Sequence, residues 1–476
     1  MDITQEYPVP LWLLALMTAA TAWALLTRLL LPSVRWFFRR RVNQVLDEIN
    51  KVLDIGIRPF QLTKRQVLID RLVYDIKVIE AVNEYALAND MPREVVQSKV
   101  VEYAREIVPA FNAYLYFRIG YWLAKKTARM LYRVRVGFIT PNCLDGIDTE
   151  ATVVFVMNHR SNMDYVLVSF LIAEKTALSY AVGEWARIWP LQTLIRSMGA
   201  FFVRRNSGDT LYRRVLERYI AMATREGVCQ AVFPEGGLSR DGALREPRLG
   251  ILDYMLREYD WEHDREIVFV PVGVNYDRTL EDRTLLRSLY RDAEKRSSLF
   301  VIRTTLRFVF HNLLLMVRSR WFRLGFTQVN FGHPISAREF CIRQNLNFSR
   351  LAAEQRSPHV KALASRLMRA IAAVIPVLPT ALICEIIRRD PDTHLSVEHV
   401  IEAAGTLAND LQQAGVLVTL PRATRAHLLR LSLNMLLLRH IIEPEEGGKL
   451  SIPAESHTIV HYYANSLNAH LELRRR

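Results

Sequence analysis

Five short apolar, β-branched runs constrain this fold most: Thr152 to Val156, Ala200 to Val203, Gln230 to Phe233, Ile267 to Val272 and Thr327 to Phe331. Runs of that length read as strands, and helix-like segments between most of them call for a sheet with helices on its faces. Helical patterning flanks the block on both sides. From Arg41 to Arg135, apolar residues such as Val67, Leu68, Leu72, Ile76 and Ile79 recur every three or four positions; after Ala337, Lys361 to Ala373 and Arg422 to Leu438 do the same. The expected fold is α/β, with a mostly β sheet flanked by helices over 141–335. Helical regions are expected over 35–140 and 336–476.

Ahead of these regions, the chain carries no charge from Pro8 to Thr27, and roughly 20 such residues span the hydrocarbon core of a bilayer as a helix. Arg28, Arg35, Arg39, Arg40 and Arg41 follow. The positive-inside bias keeps those arginines cytoplasmic, so a single-pass anchor over 8–31 is expected, with the body on the cytoplasmic face. A cleaved signal peptide would start basic and have a shorter apolar stretch. The 63 Lys+Arg exceed the 49 Asp+Glu, a net charge of +14 that suits anionic partners: a membrane surface, a phosphorylated substrate, an acidic carrier protein or nucleic acid. Cys143, Cys229, Cys341 and Cys384 are scattered, which excludes a disulfide framework and a zinc knuckle and fits a reducing compartment.

Two further apolar stretches need a reading. Leu306 to Phe322 interleaves aromatic residues such as Phe308, Phe310 and Trp321 with Arg307, Arg318 and Arg320, a mixture that suits either a bilayer interface or a helix packed on the core. Ile371 to Ile387 is interrupted by Pro376 and Pro379 and reads as buried protein, not as a second span.

Chemistry concentrates where strands end. The first run leads into Met157-Asn158-His159-Arg160-Ser161-Asn162-Met163-Asp164-Tyr165, which holds His159 and Asp164 as H-x4-D. A histidine beside a carboxylate removes a proton from an alcohol near neutral pH, since its ordinary pKa is about 6.5. Ser161 and Asp164 equally match an S-x-x-D helix cap, so the pair has a purely structural reading too. Three segments follow in order. Gly199 to Arg205 ends in Arg204 and Arg205, a pair able to hold a phosphate; Phe233 to Gly242 brings Glu235, Gly236, Ser239 and Arg240; Val270 to Tyr276 is a rigid apolar strand containing Pro271, fit to line an acyl groove.

These four segments resemble the four motifs of the glycerolipid (H-x4-D) acyltransferase family, in order, and most closely its PlsB-type glycerol-3-phosphate acyltransferase branch. His461 to Ser466 also resembles the tail of that branch. The resemblance implies an acyltransferase core in which His159 is the general base and Asp164 orients it. It implies that Arg204, Glu235, Gly236, Ser239 and Arg240 hold glycerol 3-phosphate, with Arg205 as a weaker candidate and Pro271 in the fourth motif. The implied reaction moves a fatty acyl group from acyl-CoA or acyl carrier protein to the sn-1 hydroxyl, at a membrane such as the bacterial inner membrane. No resident cofactor, no metal and no nucleic-acid partner is expected. Asn162 stands where the branch often has histidine, and Leu238 where arginine is common, which leaves room for dihydroxyacetone phosphate or lysophosphatidic acid as acceptor.

Other classes fit less well. There is no G-x-S-x-G for a serine hydrolase, no P-loop and no G-x-G-x-x-G. His457 and His461 have helical i, i+4 spacing but no H-E-x-x-H and no cysteine partner. A non-catalytic basic membrane adaptor would explain anchor and charge, but not four ordered segments.

Overall fold

β-Branched residues fit a pleated, buried surface, and every one of the five apolar runs forms a strand in the computed structural model. The structure describes residues 10–25, 57–138, 146–173, 176–183, 191–204, 207–282, 286, 324–389, 395–445 and 448–475. Strands β1 (Arg133–Phe138), β2 (Thr152–Met157), β3 (Ser179–Gly183), β4 (Phe201–Val203), β5 (Gln230–Val232), β6 (Ile267–Tyr276) and β7 (Phe326–Phe331) form one sheet in the order β1-β7-β6-β2-β5-β3-β4, and β8 (Ile335–Ser336) pairs with β6. β2 runs parallel to β5 and β6, whereas β6 and β7 are antiparallel. Central β2 and β6 are buried along their whole length, as strands covered on both faces must be.

The period-2 alternation of β2 divides the core. Val154 and Val156 face a cluster built with helices α2 (Arg65–Val73), α3 (Ile76–Ala88) and α4 (Arg93–Ile107). Val153, Phe155 and Met157 face the opposite side, against α5 (Tyr121–Leu131) and α6 (Met163–Ile172). Helix α7 (Thr210–Arg225), N-capped by Asp209, joins the first cluster, as does α9 (Ala353–Val374), which follows the short helix α8 (Gly250–Leu256). Helices α10 (Pro379–Arg389), α11 (Val397–Gln413), α12 (Arg425–Leu438) and α13 (His457–Ala464) bury a third cluster among themselves, and α14 (Asn468–Arg475) closes the chain.

Three of these eight strands, β1, β3 and the two-residue β8, lie outside the five expected runs. β1 belongs to the sheet although it precedes residue 141, and β3 sits between β5 and β4. The flanking helices also share the sheet's own core, so residues 54–476 form one compact unit and residues 1–53 another.

Helix α1 (Leu11–Leu25) carries no charged residue. Among the described residues, no single helix is long and apolar enough to cross a membrane. Arg28, Arg35, Arg39, Arg40 and Arg41 and the Leu306 to Phe322 segment lie outside the described residues. α9 and α10 meet at a bend of 95°, and the residues around it, from Val374 to Ile387, are buried protein.

Candidate active site

The chain leaves β2 at Met157 and turns before α6, and that turn is held by one carboxylate. Asp164 Oδ2 accepts hydrogen bonds from the backbone N–H groups of Arg160 (2.8 Å) and Ser161 (3.0 Å) and lies 2.9 Å from His159 Nδ1. Its Oδ1 accepts the Tyr276 hydroxyl at 2.5 Å, from the end of β6. The helix-cap reading and the His–Asp reading are therefore both partly met: the Ser161 hydroxyl accepts from Met163 N at 3.1 Å, while Asp164 fixes both the turn and the imidazole.

Charge decides the tautomer. An ionised carboxylate facing Nδ1 requires the proton on that nitrogen, which leaves Nε2 as an acceptor lone pair. Nε2 is buried and has no hydrogen-bond partner. The ring is only 1% exposed, with Phe233 at 4.0 Å between centroids over one face and Tyr165 edge-on at 5.4 Å. Tyr276 remains a donor, because burial and the Asp164 charge push its phenol well above its ordinary pKa.

A second, partly buried carboxylate supports the same turn. Glu281 accepts the Ser161 hydroxyl at 2.7 Å and both the backbone N–H (3.2 Å) and the side-chain amide (3.1 Å) of Asn162. Burial, reinforced by Asp164, raises its pKa. Asn162 thus has a structural partner of its own.

His159 lies on the wall of a cavity of about 340 Å³. One part of the wall is apolar, including Val182, Val203, Leu216, Phe233 and Ile251; another carries Arg204, Arg213 and Arg248, and among the described residues no Asp or Glu lines it. A neighbouring cavity of about 600 Å³ has mixed charge, with Arg160, Arg245 and Arg369 alongside Glu235, Glu246 and Glu472.

The remaining residues expected from sequence divide between these places. Arg204 is on the His159 cavity, but its guanidinium is forked onto Glu106 (Nη2 to Oε2 2.7 Å, Nε to Oε1 2.9 Å) and lies over the rings of Tyr103 and Tyr212. Glu235 is 4% exposed and turned onto backbone: it accepts from His159 N at 2.8 Å and Arg245 N at 3.1 Å, so it ties the second strand-end loop to the first. Burial outweighs those donors and raises its pKa to about 7. Gly236 lines the His159 cavity. Ser239 is buried on the neighbouring cavity, donates to Ala243 O at 2.8 Å, and through its N–H reaches His159 O at 2.8 Å. Arg240 is exposed and lines neither cavity; Pro271 is buried within β6 in register with Val156 and likewise lines neither. Arg205 lies outside the described residues.

The tail segment joins the site. Arg160 donates to Gly242 O (2.8 Å) and Tyr462 O (3.4 Å) and lies 4.7 Å from the Tyr462 ring centroid, so the first and third motifs and the C-terminal helices meet there. Tyr276, Glu281, Arg213 and Arg248 had no assigned role in the sequence reading. Only Tyr276 fell within an identified motif, and nothing local marks the others. His457 and His461 share α13. Among the described residues, the one group able to share a cation is Asp260, Glu262 and His263, which lines neither cavity.

The Acyltransferase family model matches residues 141–275, and the model for the glycerol-3-phosphate acyltransferase C-terminal region matches residues 311–473. A glycerol-3-phosphate acyltransferase of Pseudomonas aeruginosa (strain UCBPP-PA14) is 30% identical over 307 residues, covering 64% of this chain and 35% of the relative. One from Pseudomonas entomophila (strain L48) is 31% identical over 292 residues, covering 60% and 33%. The chain spans about a third of the length of these curated relatives. The crystal structure of a 1-acyl-sn-glycerophosphate acyltransferase from Thermotoga maritima is similar at 15% identity with a TM-score of 0.29, covering 64% of this chain and 95% of that one.

Proposed function

We propose that this chain, a member of the PlsB-type branch of the glycerolipid acyltransferase family, transfers a fatty acyl group from a thioester donor to the sn-1 hydroxyl of glycerol 3-phosphate, giving lysophosphatidic acid in the first step of phospholipid biosynthesis. One observation carries the reading: a buried imidazole, held at Nδ1 by Asp164, has an unpartnered Nε2 and lines a cavity that is apolar on one side and cationic on another. An acyl chain suits the first side and a phosphate the second.

In the proposed step, Nε2 takes the proton of the acceptor hydroxyl as its oxygen bonds to the thioester carbonyl carbon. The C–S bond then breaks, and the imidazolium returns the proton to the departing thiolate. Asp164 stabilises the imidazolium, while Tyr276 and the backbone N–H groups of Arg160 and Ser161 keep Asp164 in place. The arginines of the cavity wall, Arg204 among them, face the acceptor's phosphate. Gly236 lets the third motif approach closely, and Glu235 and Ser239 fix that motif against His159.

Helix α1, within the uncharged stretch from Pro8 to Thr27, serves in this reading as a membrane anchor, with the catalytic body on the cytoplasmic face of the membrane. The deciding experiment offers purified enzyme glycerol 3-phosphate, dihydroxyacetone phosphate and lysophosphatidic acid, each with acyl-CoA and with acyl carrier protein, and follows product by mass. Acylated glycerol 3-phosphate as the dominant product supports the proposal. Preference for another acceptor, or no transfer at all, refutes it.

A further inference from the structure

The turn that carries His159 into α6 is gripped from two sides, and the second grip comes from far along the chain. Successive backbone N–H groups open that turn, and each has an acceptor: Arg160 and Ser161 donate to Asp164 Oδ2, Asn162 donates to Glu281 at 3.2 Å, and Met163 donates to the Ser161 hydroxyl at 3.1 Å. Asp164 thus fixes the half of the turn next to His159. Glu281, partly buried, fixes the other half, because it also accepts the Ser161 hydroxyl at 2.7 Å and the Asn162 side-chain amide at 3.1 Å. Both of its carboxylate oxygens are committed to this one turn.

Glu281 is itself placed by the C-terminal helices. It follows the end of β6, and its neighbour Asp282 is buried. Asp282 Oδ2 accepts from Arg439 Nη2 at 2.6 Å, just beyond α12, and from the Tyr463 hydroxyl at 2.5 Å, on α13. The same hydroxyl accepts from Thr279 N at 3.3 Å, so the clamp closes on both sides of Glu281. Breaking a buried pair of this kind leaves an uncompensated charge, which holds the segment in one arrangement.

We infer that Glu281, clamped to the C-terminal helices through Asp282, is a positioning residue that holds the His159 turn in its reactive geometry. The inference rests on the acyl-transfer reading above and adds to it a catalytic role for the C-terminal helices. A base must meet its proton within hydrogen-bond reach, and a displacement of about 1 Å costs about a hundredfold in rate. A carboxylate at a helix N-terminus also supports stability simply as a cap. Capping alone predicts a lower melting temperature with kcat unchanged; positioning predicts a lower kcat.

The test measures steady-state transfer by the full chain, varying glycerol 3-phosphate and acyl donor separately, for wild type, Glu281→Gln, Tyr463→Phe and Glu281→Gln combined with His159→Ala. Glutamine has one carbonyl oxygen where Glu281 has two acceptors, so kcat should fall about tenfold while both KM values stay within about twofold. Tyr463→Phe removes a donor from Asp282 and should lower kcat about threefold, again without a change in KM. In the His159→Ala background, Glu281→Gln should cause no further loss, because residues that act as one unit are not additive. A folded Glu281→Gln enzyme with kcat within about twofold of wild type overturns the inference and leaves the function standing. So does a rise in the KM for glycerol 3-phosphate that matches the fall in kcat, or an undiminished loss on top of His159→Ala. A normal kcat in Tyr463→Phe overturns the role given to the C-terminal helices. Should Glu281→Gln melt early, Asn162→Ala carries the comparison from the other partner, with kcat expected to fall about threefold. A wild type that does not acylate glycerol 3-phosphate overturns the functional reading and this inference together.

Discussion

Replacing Asp164 with Asn removes one charge from the centre of the site and little else. Asp164 is fully buried; three donors converge on Oδ2, and a hydroxyl meets Oδ1. An asparagine keeps this arrangement by placing its carbonyl oxygen where Oδ2 was and its NH2 toward Tyr276, whose oxygen then accepts. What disappears is the attraction between carboxylate and imidazolium, which exists only once His159 has taken the proton. Charges about 4 Å apart at an effective dielectric of about 20 attract by about 4 kcal/mol, or about a thousandfold in rate. Because the interaction is made in the transition state, kcat should fall by about that factor with KM nearly unchanged. The fold should survive, with stability lowered by about 1–3 kcal/mol as charge-assisted bonds become neutral ones. Steady-state acyl transfer and thermal unfolding in detergent measure both. A folded Asp164→Asn enzyme with kcat within about tenfold of wild type would refute the reasoning.

Three further outcomes follow from the same geometry. Tyr276→Phe removes the hydroxyl that holds Asp164 Oδ1, so the carboxylate is less firmly set against His159 and kcat should fall about tenfold with the KM for glycerol 3-phosphate nearly unchanged; an unchanged kcat would reduce Tyr276 to a packing role. Glu235, whose pKa rises from 4.5 to about 7 on burial, binds a proton in the folded state where the unfolded chain does not. Its contribution to stability is therefore full below pH about 4.5 and is lost as pH rises through about 7, on the order of 3 kcal/mol. Glu235→Gln should remove that slope from unfolding midpoints measured between pH 5 and about 8. Gly242 has φ +84°, and a Cβ there would lie 1.8 Å from Tyr462 O, so Gly242→Ala should cost about 3 kcal/mol or more by separating the third motif from the C-terminal helices. An unchanged melting temperature would count against that contact.

The sequence made the central strands plain because burial on both faces demands long β-branched runs, as in β2 and β6. β1 was hidden because Arg133 and Arg135 alternate with valines, a pattern that also continues the preceding helix. Its place beside β7 comes from residues far along the chain, and both arginines lie over the ring of Phe326. His159 and Asp164 were legible as a pair because one turn before a helix brings them together. Tyr276 and Glu281 reach the same turn from the far end of β6, beyond any local spacing rule. Arg204 and Glu235 stood out by residue type, yet their partners, Glu106 and two backbone N–H groups, emerge only when the chain folds.

The most direct measurement is turnover by His159→Ala on glycerol 3-phosphate with a saturating acyl thioester. The account predicts kcat lowered by about a thousandfold or more, with the melting temperature and membrane association of the wild type retained. A variant that keeps near-normal turnover would show that the acceptor loses its proton to some other group.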